Sequence, residues 1–236
     1  MIHQDVRIFK TIFGLIRPAQ SFPKLKIVYL LSQTSFGMAA AIEKKLITEQ
    51  EYLEEERNAS YKSEFYKGEV FAMSGASRIH NVISGNLFGF LLTKLKGKGC
   101  RPYSNDLRLH IPLNTLYTYP DIVVTCGKED FSDNQFDTLL NPVFIAEVLS
   151  PSTADYDVGK KFMLYRSIPS LKEFWAISSF EYRVLKYVRN FTDNSWVLSE
   201  TTDVNTSLTI ESLSLRVSLN EIYDEVNFVD LVMDNG

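Results

Sequence analysis

Two acidic residues have the type and placement that metal-dependent hydrolysis of a phosphodiester requires. Asp121 follows Pro120 at the start of a segment with a strand pattern, and Glu147 interrupts a segment that is otherwise apolar. A charged residue in a buried strand is rarely tolerated without a partner, and a bound cation is one of the few partners that keeps it ionised. Because hard cations prefer carboxylate oxygens, Asp121 and Glu147 are candidate ligands for Mg²⁺ or Mn²⁺.

Each of these residues also has a structural interpretation. A Pro-Asp pair often forms only a turn, and Glu147 has the alternative of a salt bridge with a basic neighbour such as Arg108 or Arg166. Lys160 and Lys161 are most simply explained as solvated residues of a helix. The two acids together carry more weight than either alone, because neighbouring strands would project both towards one point at the edge of a sheet.

Hydrophobic periodicity predicts the elements that position these residues. Thr48 and Glu51 have the spacing of a capping box at the start of a short helix, and Lys67-Gly68 suits the turn of a hairpin. Apolar residues recur at helical spacing over 78–95. Leu107, Leu109 and Ile111 alternate with polar residues, which predicts a strand with one buried face and one polar face. Further helix and strand patterns cover 119–125, 142–149 (a central strand), 157–167 (a helix), 173–177, 182–189 and 195–200. The chain is therefore an α/β (α+β) protein.

Composition bounds the domain organisation. Residues 1–37 carry a net charge of +4, so with −4 for the whole chain the remaining 38–236 carry −8. We expect residues 1–37 to be a disordered extension or a start-site artefact, and residues 38–236 to form one domain. No apolar stretch approaches the roughly 20 residues that a membrane span needs. Two distant cysteines, Cys100 and Cys126, make no disulfide framework and predict a reducing, cytoplasmic location.

Other chemistries find little support in the sequence. No Gly-rich phosphate loop, nucleophile turn or Cys/His zinc pattern is present, which argues against a nucleotide cofactor and against zinc. Three histidines in the whole chain leave little room for a histidine-based mechanism.

Several motifs together resemble one family, the bacterial restriction endonucleases of the Uma type, within the PD-(D/E)XK nuclease superfamily. They extend over about residues 46–225 and comprise Glu64-Phe65-Tyr66-Lys67-Gly68-Glu69, His80-Asn81, Tyr119-Pro120-Asp121-Ile122-Val123, Ile145-Ala146-Glu147-Val148-Leu149-Ser150-Pro151-Ser152-Thr153, Asp157-Val158-Gly159-Lys160-Lys161-Phe162 with Tyr165, and Pro169 with Glu173-Phe174-Trp175. The resemblance implies a restriction-endonuclease-like core, with a mixed central β-sheet flanked by helices. It also implies that Asp121 and Glu147 bind the metal.

One departure from the superfamily pattern concerns the catalytic lysine. Its usual place, two residues after the second acid on the same strand, holds Leu149 in this chain. The family pattern places the lysine on the following helix, at Lys161, whereas Lys160 points about 100° away around the helix. His80, Glu69, Glu64 and Tyr165 are predicted to lie in an outer shell. A minority interpretation gives Lys94, Lys96, Lys98 and Arg101 a phosphate-binding role, since cations near a helix C-terminus also offset its dipole.

The resulting expectation is a Mg²⁺- or Mn²⁺-dependent endonuclease that acts on DNA as a homodimer. Two-fold association is the commonest oligomeric state, and a duplex offers two strands to be cut. A body charge of −8 opposes generic tight binding to a polyanion, however. The alternative is therefore a non-catalytic nucleic-acid-binding or assembly module that retains the nuclease fold.

Overall fold

The computed structural model of the chain describes residues 46–151 and 156–228. Its helices are α1 (Glu49–Asn58), α2 (Arg78–Leu95), α3 (Phe162–Tyr165) and α4 (Leu219–Ile222). Its strands are β1 (Ser63–Tyr66), β2 (Glu69–Ala72), β3 (Cys100–Ser104), β4 (Arg108–Ile111), β5 (Leu116–Thr118), β6 (Ile122–Cys126), β7 (Thr138–Leu139), β8 (Phe144–Leu149), β9 (Glu173–Ser178), β10 (Val184–Arg189), β11 (Trp196–Thr201), β12 (Ser207–Ile210) and β13 (Leu215–Ser218). The protein is thus a mixed α+β structure, as the sequence predicts.

The strands form two larger sheets and a hairpin. The six-stranded sheet has the order β11-β10-β9-β8-β6-β3, the five-stranded sheet has the order β2-β1-β5-β4-β7, and β12 pairs with β13. In the six-stranded sheet β8 and β9 are parallel, whereas β6 is antiparallel to β8. The sheet is therefore mixed, and β8 is an inner strand, which confirms its prediction as central.

The two faces of β8 pack in different cores. Phe144, Ala146 and Val148 pack with the apolar face of α2. Ile145 and Leu149 point the other way, into a core shared with α3 and the five-stranded sheet. Because side chains alternate along a strand, Glu147 belongs to this second face. The fold thereby directs an acidic side chain towards the space between α3 and the smaller sheet.

Several predicted elements are confirmed. Thr48 and Glu51 form the reciprocal capping box at the start of α1. Helix α2 has the predicted bounds. Lys67 and Gly68 join β1 to β2, both with positive φ (50° and 88°), as a tight hairpin turn of this type requires.

Other elements differ from the prediction. Strand β6 begins only at Ile122, because Pro120 has no N–H to contribute to a strand ladder. The helix predicted at 157–167 is a π-helical turn, Tyr156–Lys161, followed by the four residues of α3. Five strands of two to five residues have too few positions to show a period and escaped prediction: β3, β5, β7, β12 and β13.

The polar face predicted for β4 is enclosed within the fold. All four of its residues are buried, and Arg108 and His110 are only 3% and 9% exposed. Strand β4 lies inside the five-stranded sheet, between β5 and β7. Arg108 is held there by the side chains of Asp137 and Thr138, while the ring of His110 stacks on Tyr117 at a centroid distance of 3.9 Å. The polar face of β4 therefore has polar and aromatic partners inside the fold.

The expectation of two unpaired cysteines is also wrong. Cys100 on β3 lies directly opposite Cys126 on β6, and a disulfide joins them. Their separation in sequence concealed the strand pairing that brings them together. The inference of a reducing location from free thiols consequently loses its basis.

Two predictions concern parts of the chain outside the described residues. The boundary proposed between residues 37 and 38 is one of them, and the motif residues Ser152 and Thr153 and the side chain of Asp157 also lie there. Within the described residues, no helix is long and apolar enough to cross a membrane.

Candidate active site

Strand register places the two candidate ligands side by side. Strand β6 runs antiparallel to β8, with Ile122 opposite Ala146. One step further along the same register, Asp121 lies opposite Glu147. The backbone N–H of Asp121 donates a long hydrogen bond, 3.3 Å, to Oε2 of Glu147. The sheet itself therefore brings the two carboxylates together.

Hydrogen bonds to two different elements fix the carboxylate of Asp121. Its Oδ2 accepts a 2.7 Å hydrogen bond from the backbone N–H of Val148, and its Oδ1 lies 2.9 Å from Nε2 of His80 in the first turn of α2. Ser77 caps that helix and thereby sets its first turn. With side chains only 13% and 15% exposed, Asp121 and His80 form a half-enclosed pair at the end of the sheet.

Glu147 is more enclosed than the other two acids of the site, Asp121 and Glu64. Its side chain is 6% exposed, and its Oε1 accepts a 2.6 Å hydrogen bond from the hydroxyl of Tyr165. The ammonium of Lys161 lies 2.9 Å from the same oxygen. Burial, and next the charge of Glu147, raise the pKa of Tyr165 well above its ordinary value. The phenol thus stays a hydrogen-bond donor to the carboxylate.

Lys161 joins the two sheets at this point. Its Nζ lies 3.1 Å from Oε1 of Glu64 on β1, in addition to its contact with Glu147. Only 8% of the Lys161 side chain is exposed, so its interpretation as a solvated helical lysine is wrong. The hydroxyl of Thr118 on β5 also donates to Glu64. The basic partner of Glu147 is therefore Lys161; Arg108 contacts Asp137, and Arg166 is exposed.

The π-helical turn explains why the lysine lies after β8 rather than on it. Leu149, at the usual lysine position, is 1% exposed and packs in the second core. The turn Tyr156–Lys161 ends at the residue that faces Glu147, and α3 then places Tyr165 on the same side. Lys160 is only half-buried. Wide helical turns of this kind occur frequently at functional sites.

The remaining predicted residues lie farther away. Glu69 is half-buried on the edge strand β2, one strand beyond Glu64. The basic residues Lys94, Lys96, Lys98 and Arg101 are exposed around the C-terminus of α2. His80 and Lys94 are separated by 14 residues of this helix, which corresponds to about 21 Å along its axis. Any phosphate that this basic cluster binds is therefore distant from Asp121.

Sequence reasoning missed two groups that shape the site. One is the backbone N–H of Val148, which no side-chain pattern reveals. The other is the hydroxyl of Thr118, on a three-residue strand that was not predicted. The family motif did point to Glu64, which contacts Lys161 because the five-stranded sheet packs towards α3.

The charges and donor atoms of the site fit a hard divalent cation. Among the described contacts, Glu64 and Glu147 share the ammonium of Lys161, and Asp121 lies beside Glu147 and contacts His80, so acidic side chains predominate. Adjacent carboxylate oxygens are the donors that Mg²⁺ and Mn²⁺ prefer. Among the described residues, no group of three or more His, Cys, Asp and Glu has the geometry of a metal site. A cation at this place would have Asp121 and Glu147 as its protein ligands and would need water to complete its coordination.

Comparison with known proteins agrees with this architecture. A family described as "Putative restriction endonuclease" (Uma2) matches residues 49–220. Two Synechocystis sp. proteins are similar to the chain. The protein sll1609 is 40% identical over 66% of this chain and 88% of its own length, and slr1290 is 34% identical over 77% and 94%.

A solved structure shows the same fold. It is described as a "putative nuclease belonging to DUF820" from Anabaena variabilis, and it superposes with a TM-score of 0.64 at 18% identity, over 77% of this chain and 99% of that one. The family match extends over most of the chain and includes Asp121, Glu147 and Lys161. The chain therefore belongs to the Uma2 family, the "Putative restriction endonuclease" family.

Proposed function

We propose that the protein is a metal-dependent endonuclease that hydrolyses phosphodiester bonds of DNA. The observation that carries the proposal is the meeting of Asp121, Glu147 and Lys161: two cross-strand carboxylates with a buried ammonium 2.9 Å from one of them. Membership of a family described as restriction endonucleases supports the reaction type.

The ammonium of Lys161 is proposed to orient the attacking water and to stabilise charge that develops on the phosphate. It contacts Glu147 and Glu64 and is therefore positioned as a cationic hydrogen-bond donor. Preorganised donors of this kind contribute strongly in enclosed sites, where the electrostatic interaction is little screened. Tyr165 and His80 are proposed as positioning residues, because each contacts one of the two metal-binding carboxylates.

Asp121 and Glu147 would hold Mg²⁺ or Mn²⁺. The bound cation would supply Lewis-acid polarisation of the phosphate and lower the pKa of a coordinated water. With only two protein carboxylates, binding would be weak, because most ligands would be water or substrate oxygens.

We also propose a substrate, an oligomeric state and a cellular location for this reaction. DNA is the substrate, a homodimer is the working form, and the cytoplasm is the location. In a reducing cytoplasm Cys100 and Cys126 would be thiols. Five backbone-paired positions hold β3 against β6, so their reduction is expected to leave the strand pairing intact.

Nicking of supercoiled plasmid tests the proposal. The wild-type protein is expected to nick plasmid with Mg²⁺ or Mn²⁺ and to stop when EDTA is added, whereas Glu147→Gln is expected to be inactive. Glu173→Gln is the matched control, because Glu173 is also a buried glutamate of the central sheet but binds Trp175 and the backbone of Ser212.

Two results would count against an endonuclease. Equal nicking by wild type and Glu147→Gln would mean that the site assignment is wrong. A wild-type protein that binds DNA but never cuts it would favour the alternative, a non-catalytic nucleic-acid-binding or assembly module with the nuclease fold.

A further inference from the structure

A cavity of about 610 Å³ lies beside the end of α3, outside the site described above. It is formed where the residues after α3 meet the hairpin of β10 and β11. The described residues that line it are Asn114, Met163, Arg166, Ser167, Arg189, Asn194 and Trp196. These side chains include two cations and several neutral hydrogen-bonding groups, but no carboxylate.

Arg189 is held rigidly in the wall of the cavity. Its Nη1 donates a 3.0 Å hydrogen bond to the carbonyl of Pro169, and its Nη2 donates to the carbonyl of Arg166. The guanidinium also stacks 4.9 Å from the ring centroid of Trp196. Its Nε is buried without a hydrogen-bond partner among the described residues. The positive charge of Arg189 is thus fixed by carbonyls and an aromatic ring, with no acid in the described structure to neutralise it.

Arg166 adds a second cation at the surface. It is exposed, and it forms no ion pair with a carboxylate of the described residues. Nearby, Ser167 and Asn114 are joined by a 2.8 Å hydrogen bond from the Asn114 amide. The cavity therefore combines one guanidinium held by hydrogen bonds, one exposed guanidinium and neutral groups.

Helix α3 connects this cavity to the candidate active site. Lys161 directly precedes the helix and Arg166 directly follows it. The step of five residues from Lys161 to Arg166 corresponds to about 7.5 Å along a helix axis, which is on the order of two nucleotides of rise along a DNA strand. Five residues also turn about 140° around a helix axis, so a strand that passes from Lys161 to Arg166 would have to follow the surface around the helix.

We infer that this cavity binds a backbone phosphate of the DNA strand to be cut, through Arg166 and Arg189. The inference rests on the proposed function and assigns it a phosphate subsite. Guanidinium groups match the geometry of phosphate oxygens and bind them with paired hydrogen bonds. Since residues 38–236 carry a net charge of −8, a DNA strand needs a local basic surface to approach. Two arginines unpaired with acids, one helix away from Lys161, provide that surface.

Binding of a short fluorescein-labelled duplex, measured by anisotropy in EDTA, tests the inference without cleavage. Each phosphate contact to a duplex adds about 0.9 to the slope of log affinity against log salt concentration. Arg166→Gln is expected to lower the steepness of that slope by about 0.9 and to weaken binding. Arg216→Gln is the matched control, because Arg216 is an exposed arginine of the β12–β13 hairpin, and it should behave as wild type.

Trp196 provides a second measurement. The chain has two tryptophans, and Trp175 is fully buried, so changes in fluorescence on titration report mainly on Trp196. DNA is expected to change this signal in the wild-type protein and much less in Arg166→Gln. Inorganic phosphate alone is the comparison ligand, since a site for a free small anion would respond to phosphate but not to DNA.

The possible results separate this inference from the proposed function. Arg166→Gln with an unchanged salt slope and affinity would overturn the subsite, even if the protein nicks plasmid. If Arg166→Gln lowers the salt slope but the wild-type protein never nicks plasmid, the phosphate subsite is supported and the proposed endonuclease activity is wrong. A wild-type protein that binds no DNA, or that shows a Trp196 response to inorganic phosphate alone, would also overturn the subsite.

Discussion

The hydroxyl of Tyr165 donates a 2.6 Å hydrogen bond to Oε1 of Glu147 inside the second core. Tyr165 is fully buried and Glu147 nearly so. A buried carboxylate is tolerated only when its hydrogen-bonding capacity is used, which makes this contact part of the stability of the fold as well as of the site.

Replacement of this phenol tests its contribution. Tyr165→Phe is expected to lower the free energy of unfolding by about 2 kcal/mol, because a hydrogen bond to a charged group is lost. Plasmid nicking is expected to fall as well, since Glu147 loses one of the groups that orient it. Urea denaturation and nicking assays measure the two effects.

Tyr187→Phe is the matched control for this experiment. Both rings lie 5.7 Å from Phe174 in the same aromatic cluster, but the hydroxyl of Tyr187 donates to no described residue. We expect Tyr187→Phe to change the stability by less than about 0.5 kcal/mol. An equally small effect of Tyr165→Phe would show that the Glu147 contact is dispensable.

Lys161 is expected to serve both activity and stability. Lys161→Met should abolish nicking and destabilise the protein by about 3 kcal/mol, because removal of one member of a buried ion pair leaves the other charged and buried. The double variant Lys161→Met with Glu147→Gln should be more stable than the sum of the single effects predicts. Thermal and urea unfolding of the four proteins measure this coupling.

Lys160→Met is the neighbouring control, since Lys160 is half-buried and points about 100° away from Lys161 around the helix. Its effect on nicking should be small. If Lys161→Met nicks as well as the wild-type protein, the lysine displaced from the strand has no role in the chemistry.

Metal binding is expected to depend on both cross-strand carboxylates. Mn²⁺ added to the wild-type protein should bind weakly in calorimetry and raise the melting temperature, because a ligand of the native state stabilises it. Asp121→Asn with Glu147→Gln should remove both signals. Glu64→Gln should retain most of the binding, since Glu64 contacts Lys161 and Thr118. Unchanged metal binding in the double variant would refute the proposed ligands.

The central strand shows what sequence could reveal of this site. Glu147 within an apolar segment predicted a buried acid with a special partner, and Asp121 before the next strand predicted its neighbour. The structure places them opposite each other. Their roles remain predictions, because a contact does not establish chemistry. The family pattern, and not periodicity, selected Lys161 over Lys160.

The burial of several polar side chains and the disulfide depend on tertiary contacts, which the sequence pattern does not reveal. The burial of Lys161 and Glu64 depends on the five-stranded sheet packing towards α3, and no local pattern encodes that packing. The buried polar residues Arg108 and His110 on β4 have the same origin, because an alternating pattern cannot distinguish solvent from polar neighbours. The disulfide required the register of β3 against β6.

A homodimer is expected from the proposed cleavage of a duplex. Light scattering at micromolar concentration should report twice the chain mass of 27.0 kDa. The measurement should be repeated over a range of concentrations, because a weak dimer would dissociate on dilution. A mass of 27.0 kDa at every concentration would contradict the prediction.

His110 gives the fold a pH dependence that is separate from the candidate active site. Burial lowers the pKa of His110 below its ordinary value of 6.5, more than the nearby carboxylate of Glu49 raises it. Below pH 6.5 the unfolded chain therefore binds a proton at this position that the folded protein does not. The folded protein therefore has its full stability from the neutral His110 above pH 6.5. It loses this contribution as the pH falls from 6.5 through the lowered pKa of the folded protein.

His110→Phe isolates this effect, because phenylalanine keeps the stack on Tyr117 and cannot be protonated. Urea unfolding at about pH 7.5 and about pH 5.5 should show a smaller loss of stability in the variant than in the wild-type protein. The other described histidine, His80, is present in both proteins, so its titration cancels in the comparison. If both proteins lose the same stability between the two pH values, His110 does not remain neutral in the fold.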